Sequence, residues 1–280
     1  MPRLLPLRLP RVCVAIVATN PADLFQKAEA LVKDNSFLEF RLDYLRQPTL
    51  ALSRLRRFCD YHPETLLIAT CRRAVNGGKF RGSAAAQVNV LVKAAACGCQ
   101  LVDLEVESAT ALKSKDLERL RHGAAVILSF HDFRATRKLD ETFHTMAGIP
   151  ADFYKVVGTA NSLYDNVVMM KFLERQSEKH SLVGVCMGEQ GVPSRVLGAR
   201  AGSVFTFAAA TPGEETAPGQ IAARTLRDTY RIDQVDAATK VYGVAGDPVA
   251  HSLSPLMMNL ALRRENVNGV YLALHARKLD

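Results

Sequence analysis

Lys155 lies inside the apolar run Phe153-Tyr154-Lys155-Val156-Val157. An ammonium turned inward there is costly to desolvate unless paired, and a lowered pKa would free its amine to condense with a ketone or aldehyde. A lysine snorkelling at a strand end, or one salt-bridged to Glu105, would suit the same segment. His131, in Ser129-Phe130-His131-Asp132, is the residue type for general acid–base work, with an unperturbed pKa near ~6.5. Taken alone, a histidine at a strand end is more often structural. Arg41, Arg72 and Arg195 come from three separate segments; singly each reads as a surface arginine, but together at one mouth they would recognise carboxylate and hydroxyl groups. Asp103, Glu105 and Glu107 add three carboxylates on a fourth segment.

What must position these groups is a regular alternation of short apolar runs with longer segments of helical period. The strand candidates are 12–19, 38–45, 66–72, 101–106, 125–131, 153–158, 182–187 and 204–209. Their near-continuous apolar character suits strands buried on both faces of a parallel sheet. Between them, Leu24, Ala28, Leu31 and Val32 hold one helical face, as do Leu163, Val167, Val168 and Phe172. Asn20 and Pro21 supply a cap and a first turn, Gly123 supplies a stop, and 221–235 is helical in pattern. Eight such units predict an α/β fold, a (β/α)8 TIM barrel, with a doubly wound open sheet as the alternative. In a TIM barrel the chemistry sits at the C-terminal ends of the strands. There the chain places Glu39 and Arg41, Thr70 and Arg72, Ser129 and His131, Lys155, Arg195 in the loop after strand 7, and Thr216 to Gln220 after strand 8.

Composition narrows the partners. The chain has 280 residues, 48% hydrophobic and 23% charged, which is ordinary for a globular protein, and a net charge of +8. The basic balance favours anionic partners. No tryptophan and no basic stripe with interleaved aromatics is present, which argues against nucleic acid. Six cysteines, at 13, 59, 71, 97, 99 and 186, read as reduced and mostly buried; the Cys97-x-Cys99 pair is a weak zinc signal and no metal site is expected. Arg3, Arg8 and Arg11 before the apolar run 12–18 imitate a secretory signal, but a first strand explains them better. The reduced thiols suit a cytoplasmic protein; no run approaches the ~18 apolar residues of a membrane span, so no membrane partner is expected, and a homodimer is possible.

The ordered set Glu39-x-Arg41, Thr70-x-Arg72, Ser129-x-His131-Asp132, Tyr154-Lys155-Val156, Met187-Gly188 with Ser194-Arg195, and Ala217-Pro218-Gly219-Gln220 resembles type I 3-dehydroquinate dehydratase. Each piece is weak alone; six in order, one at nearly every strand end, are specific, and the likeness spans roughly residues 11–235. It implies that Lys155 forms an imine with the C3 ketone of 3-dehydroquinate. His131 would take the C2 proton and return it to the departing C1 hydroxyl. Arg195 would hold the substrate carboxylate, Glu39, Arg41 and Arg72 the ring hydroxyls, and Thr216 and Gln220 would close over the substrate from a mobile loop. No metal or cofactor is implied. One departure is Asn76, where the family usually has a glutamate; an altered pH profile rather than lost activity is expected from it.

The period breaks at Lys240 into strand 241–245, a Gly-Asp-Pro turn, helix 255–265 and strand 269–274, a truncated β-α-β segment. The string from Tyr242 to Pro255 resembles the start of shikimate dehydrogenase, which implies that Ser252 and Ser254 bind the shikimate carboxylate. The expected organisation is therefore a dehydratase barrel over 1–238 and the N-terminal part of a shikimate dehydrogenase over 239–280. That second part would be inactive in this chain, NADP being expected only for the missing dehydrogenase portion. The rival readings are another class I Schiff-base aldolase, or a catalytically impaired barrel that binds shikimate-pathway metabolites. The apolar segments of the stub are expected to promote association.

Overall fold

The computed structural model describes residues 5–249 and 251–276; Arg3 of the signal-like stretch and Ala250 of the second motif lie outside them. The strands are β1 (Val12–Ile16), β2 (Phe37–Arg41), β3 (Leu66–Thr70), β4 (Leu101–Glu105), β5 (Ala125–His131), β6 (Phe153–Thr159), β7 (Leu182–Met187), β8 (Thr206–Ala209), β9 (Lys240–Gly246) and β10 (Gly269–His275). The helices are α1 (Pro21–Leu31), α2 (Leu52–Tyr61), α3 (Ala84–Ala96), α4 (Val106–Thr110), α5 (Ser114–Gly123), α6 (Leu139–Ala147), α7 (Tyr164–Gln176), α8 (Val192–Leu197), α9 (Ala223–Asp228) and α10 (Ser254–Arg264). The first eight strands form one sheet in the order β7-β6-β5-β4-β3-β2-β1-β8, and β9 pairs with β10 separately. Eight parallel strands alternating with helices make a (β/α)8 TIM barrel. Among the described residues no helix is long and apolar enough to cross a membrane.

Contacts divide the chain into two compact units, Met1–Phe130 with Phe143–Lys155, and His131–Thr142 with Val156–Asp280. In the first, β1 to β5 pair in parallel register, with Glu39 opposite Ile68, Arg41 opposite Thr70, Thr70 opposite Asp103 and Glu105 opposite Ser129. Side chains alternate along a strand, so Leu38 and Phe40 of β2 face one way and Glu39 and Arg41 the other. Phe40 packs with Phe25 of α1 and Phe58 of α2 at centroid distances of 5.4 and 5.5 Å. This apolar anchoring, worth roughly 1.5–3 kcal/mol for each fully buried phenylalanine, fixes the register that turns Glu39 and Arg41 inward. Asn20 caps α1 by accepting the Asp23 amide at 3.0 Å, as its sequence predicts.

In the second unit, the Val204 amide donates to the Leu182 carbonyl at 2.8 Å, drawing the β8 entry beside β7. Gly184 of β7 lies under Leu173 and Met169 of α7, where an added Cβ would stand 2.7 Å from Leu173 Cδ2. β9, α10 and β10 form the predicted β-α-β segment, its two strands paired in parallel from Gly269 opposite Lys240 to His275 opposite Gly246. Leu256, Met257 and Leu260 of α10 are exposed, as are Val241 and Tyr242 of β9.

Several boundaries differ from the sequence pattern for physical reasons. β2 stops at Arg41 rather than 45, because Asp43 turns back in a 3-10 turn (Leu42–Tyr44) to meet the Arg41 guanidinium. The helix expected over 221–235 is only α9; Arg231 takes a left-handed φ of 49°, and the chain then buries Ile232 and Val235 from a 3-10 turn. β1 ends at Ile16 and β8 begins at Thr206, each shorter than its apolar run.

Candidate active site

Inward-facing positions of β2, β3, β4, β5 and β6 carry polar side chains in the first unit, and burial forces them to pair. Glu39, 4% exposed, accepts the Thr70 hydroxyl at 2.5 Å. Arg41 forms a two-pronged bond with Asp43 at 3.0 and 2.9 Å and lies over the Tyr44 ring at 4.9 Å. Burial works to lower the Arg41 pKa, but the Asp43 ion pair and hydrogen bonds outweigh it and hold the group above its ordinary value. Arg41 is thus locked to a carboxylate, and Asp43 also accepts the Lys79 amide at 3.1 Å.

Lys155, on β6, is 3% exposed and bonds through its Nζ to Oδ2 of Asp103 on β4. The ion pair of this lysine runs to Asp103 rather than to Glu105, two residues later on the same face of β4. Asp103 Oδ1 also accepts Ser129 Oγ at 2.7 Å and Arg72 Nη2 at 3.2 Å. Asp103 therefore ties β4 to β5, to β6 and to the segment just after β3 through Ser129, Lys155 and Arg72. Glu105 serves the neighbouring layer, accepting Gln87 Nε2 and the Arg73 amide, the latter at 2.9 Å, with Arg72 Nε 3.8 Å away. Burial, then the nearby Asp103 charge, raise the Glu105 pKa. Arg72 Nε has no hydrogen-bond partner among the described residues.

In the second unit His131 ends β5 and stacks on the exposed Phe133 ring, with centroids 6.0 Å apart and planes 17° apart. Arg195 lies on α8, and a buried network sets its place. Asn166 of α7 donates to the Gln190 carbonyl at 2.7 Å and accepts the Ser194 amide at 3.0 Å, while Ser194 Oγ donates to the Gly191 carbonyl and accepts the Cys186 amide. Arg195 is 2% exposed; its Nη2 donates to the Pro218 carbonyl at 3.1 Å and its Nε has no hydrogen-bond partner among the described residues. Burial lowers its pKa to about 10, opposed only by the smaller effect of Cys186. Among the described residues no carboxylate pairs with this buried cation, so an anion would complete the ion pair.

The loop carrying Thr216 and Gln220 rests on the same place. Gln220 Oε1 accepts both the amide and the hydroxyl of Thr216, at 2.7 and 3.1 Å. Ala217 packs on Val157, Val185 and Met187. Gly188, with φ 91°, donates its amide to the Pro218 carbonyl at 3.0 Å, and a Cβ on Gly219 would come within 2.1 Å of the Gly188 oxygen. Only glycine allows that approach. Ser252 and Ser254 stand at the start of α10, Ser252 Oγ accepting the Ser254 amide at 3.2 Å.

The structure thus brings Lys155, Arg72 and the Glu39–Thr70 pair into the buried face of the first unit, and Arg195, Thr216 and Gln220 to one place in the second. Asp103 and the Asn166–Ser194 network received no role from the sequence. The two-residue spacing of Asp103 and Glu105 was the available signal for the first; the second spans elements and had none. The cysteines are reduced, and five of the six are buried. Among the described residues no group of three or more His, Cys, Asp or Glu side chains stands ready to hold a metal.

A family model described as type I 3-dehydroquinase matches residues 12–237. A 3-dehydroquinate dehydratase of Dehalococcoides mccartyi is 33% identical over 232 residues, covering 80% of this chain and 96% of that protein. A bifunctional 3-dehydroquinate dehydratase/shikimate dehydrogenase of Arabidopsis thaliana is 31% identical over 270 residues, covering 94% of this chain but only 44% of that protein. Among solved structures, the 3-dehydroquinate dehydratase of Geobacillus kaustophilus superposes with a TM-score of 0.72 at 24% identity, over 81% of this chain and 91% of that one; this likeness concerns the fold.

Proposed function

The chain belongs to the type I 3-dehydroquinase family and is a 3-dehydroquinate dehydratase, a hydro-lyase, and from that premise we propose that it works through an imine on Lys155. The observation that carries this reading is the burial of Lys155 on β6, held to Asp103, which Arg72 and Ser129 hold in turn. The ion pair holds Lys155 as an ammonium at rest; once it has given up a proton, a primary amine so fixed is an oriented nucleophile rather than a solvated surface group. Its nitrogen adds to the C3 ketone of 3-dehydroquinate and expels water. His131 removes the C2 proton, and the electron pair flows into the imine to give an enamine. The enamine expels the C1 hydroxyl, which leaves as water with the proton His131 returns. Hydrolysis then frees Lys155 and 3-dehydroshikimate.

Arg195 completes its missing ion pair with the substrate carboxylate, and Thr216 and Gln220 close over the ring. Glu39 and Arg72 hold the hydroxyls; Arg41, tied to Asp43, shapes that wall. The test is to incubate the protein with 3-dehydroquinate, add borohydride, and map the adduct by mass spectrometry. An adduct on Lys155 with turnover is expected; turnover with no adduct would refute the imine, and an adduct formed only with an aldose phosphate would favour an aldolase.

Two further outcomes follow from this reading. Arg195→Gln is expected to raise KM about 10²-fold, with a smaller effect on kcat, since a buried charge partner is worth 2–5 kcal/mol. An unchanged KM in steady-state assays would remove the carboxylate role. Asn76, whose Nδ2 is buried without a partner among the described residues, stands where the family usually has a glutamate. Asn76→Glu adds a negative charge that favours an imidazolium on His131, so the acid limb of the pH–rate curve is expected to move to higher pH. An unchanged curve would count against that support.

Residues 239–280 are read as similar to the opening of a shikimate dehydrogenase, with Ser252 and Ser254 as its carboxylate-binding hydroxyls. The read-through of the Arabidopsis thaliana relative across nearly the whole chain supports this organisation.

A further inference from the structure

The second module touches the barrel where the substrate loop is anchored. His275, at the end of β10, bonds through Nδ1 to Glu189 Oε2 at 3.1 Å, and its Nε2 lies 3.1 Å from Asp247 Oδ1 of the β9 turn, without the angle of a hydrogen bond. The imidazole is 20% exposed. Glu189 follows Gly188 directly, in the 3-10 turn Glu189–Gly191 that leads into α8. Gly188 donates to the Pro218 carbonyl, and that same carbonyl takes Arg195 Nη2. A second fastening pins the base of the module: Arg200 Nε donates to the Thr239 carbonyl at 3.1 Å, and Thr239 and Asn268 meet Asp236 in a closed ring of hydrogen bonds.

We infer that His275 and Glu189 are positioning residues for the dehydratase, bracing the turn at Gly188 on which Arg195 and the Thr216–Gln220 loop rest. The inference depends on the proposed role of that loop in binding 3-dehydroquinate. The module is thereby more than a passenger. Pinned at Thr239 and at His275, it meets the 3-10 turn at Glu189, one residue beyond the amide that bonds Pro218. Loss of the brace loosens the turn and weakens substrate binding, while the imine chemistry on Lys155, in the other compact unit, is left as it is. The contact is small and partly exposed, so its effect belongs at the low end of coupling between sites.

The experiment uses the full chain with His275→Ala, Glu189→Ala and the double variant. Each single variant is expected to raise KM for 3-dehydroquinate roughly fivefold at near-constant kcat. The double variant should show no more than one single variant, because the two residues act through one contact. His275→Gln, which can still donate to Glu189, should recover most of the affinity. A second readout needs no turnover: hydrogen exchange at the Gly188 amide should quicken in both alanine variants, while amides of β2 to β4 stay as in the parent. Faster exchange with unchanged KM would overturn the positioning role, and unchanged exchange or fully additive effects would overturn the brace itself. If the parent chain fails to dehydrate 3-dehydroquinate, the functional reading falls on that result, and exchange at Gly188 still decides whether the brace exists.

Discussion

Lys155→Met is expected to lower turnover of 3-dehydroquinate by at least about 10⁴-fold, the scale on which removal of a covalent nucleophile acts. Methionine approximates the length of the lysine stem and keeps the apolar contacts of β6, so the barrel should remain folded. Asp103 then loses Lys155 but keeps Arg72 and Ser129, and its charge is not stranded. Lys155→Arg separates two roles that Met cannot. Arginine preserves a cation facing Asp103, yet its guanidinium stays protonated and does not form the imine. If Lys155 acted only as a fixed charge, Arg would restore a large part of the rate. The imine reading requires both variants to be inactive and both to give no borohydride adduct, while circular dichroism and thermal midpoint show a folded chain. Substantial activity in Lys155→Arg would end the nucleophile assignment.

The legibility of this molecule was uneven, and the unevenness has physical causes. Strands β5 and β7 were read to the residue, because continuous apolar burial ends where a polar group or a glycine begins. β2 was overrun because Leu42 and Leu45 prolong the apolar pattern; Asp43 ends the strand through a bond to Arg41 that hydrophobicity does not encode. Site residues at strand ends could be found because a β/α barrel gathers strand ends. Which of them pair could not, since pairing depends on register between strands: Lys155 meets Asp103 across 52 positions of sequence, and the choice of Asp103 over Glu105 is one step of pleat. Arg195 is legible as a motif member, but the lack of a paired carboxylate among the described residues emerges only once α8 is buried with the guanidinium bonded to the Pro218 carbonyl. The β9–α10–β10 segment was legible as a unit, while its contact with Glu189 joins residues 86 positions apart and left no mark on the local pattern.

Asp103→Asn is the harsher test of the site's construction. The carboxylate accepts Lys155 on one oxygen and Arg72 and Ser129 on the other, so it neutralises buried cations on β6 and just beyond the end of β3. Asparagine has nearly the same shape but one acceptor oxygen and an NH2 group. Whichever way it turns, a donor faces a donor, and Lys155 and Arg72 lose the charge between them; Glu105 lies only 3.8 Å from Arg72 Nε but is already engaged by Gln87 and Arg73. Breaking a buried ion pair by removing one partner costs about 3–5 kcal/mol, so a marked fall in thermal midpoint is expected at neutral pH. Activity should fall further than stability accounts for. The amine of Lys155 is aimed by Asp103, and misplacement of a reacting group by ~1 Å is worth about 10²-fold. Assayed well below the variant's midpoint, where the chain is folded, kcat should drop by about that factor, and borohydride trapping on Lys155 should slow in step. Asp103→Leu sharpens the distinction: it removes the mispaired donor but leaves the two cations facing each other, and should be no more active. Were the folded Asp103→Asn protein to trap substrate at the parent rate, Asp103 would be a ligature of the barrel alone, and the orientation of Lys155 would have to come from the apolar walls of β6.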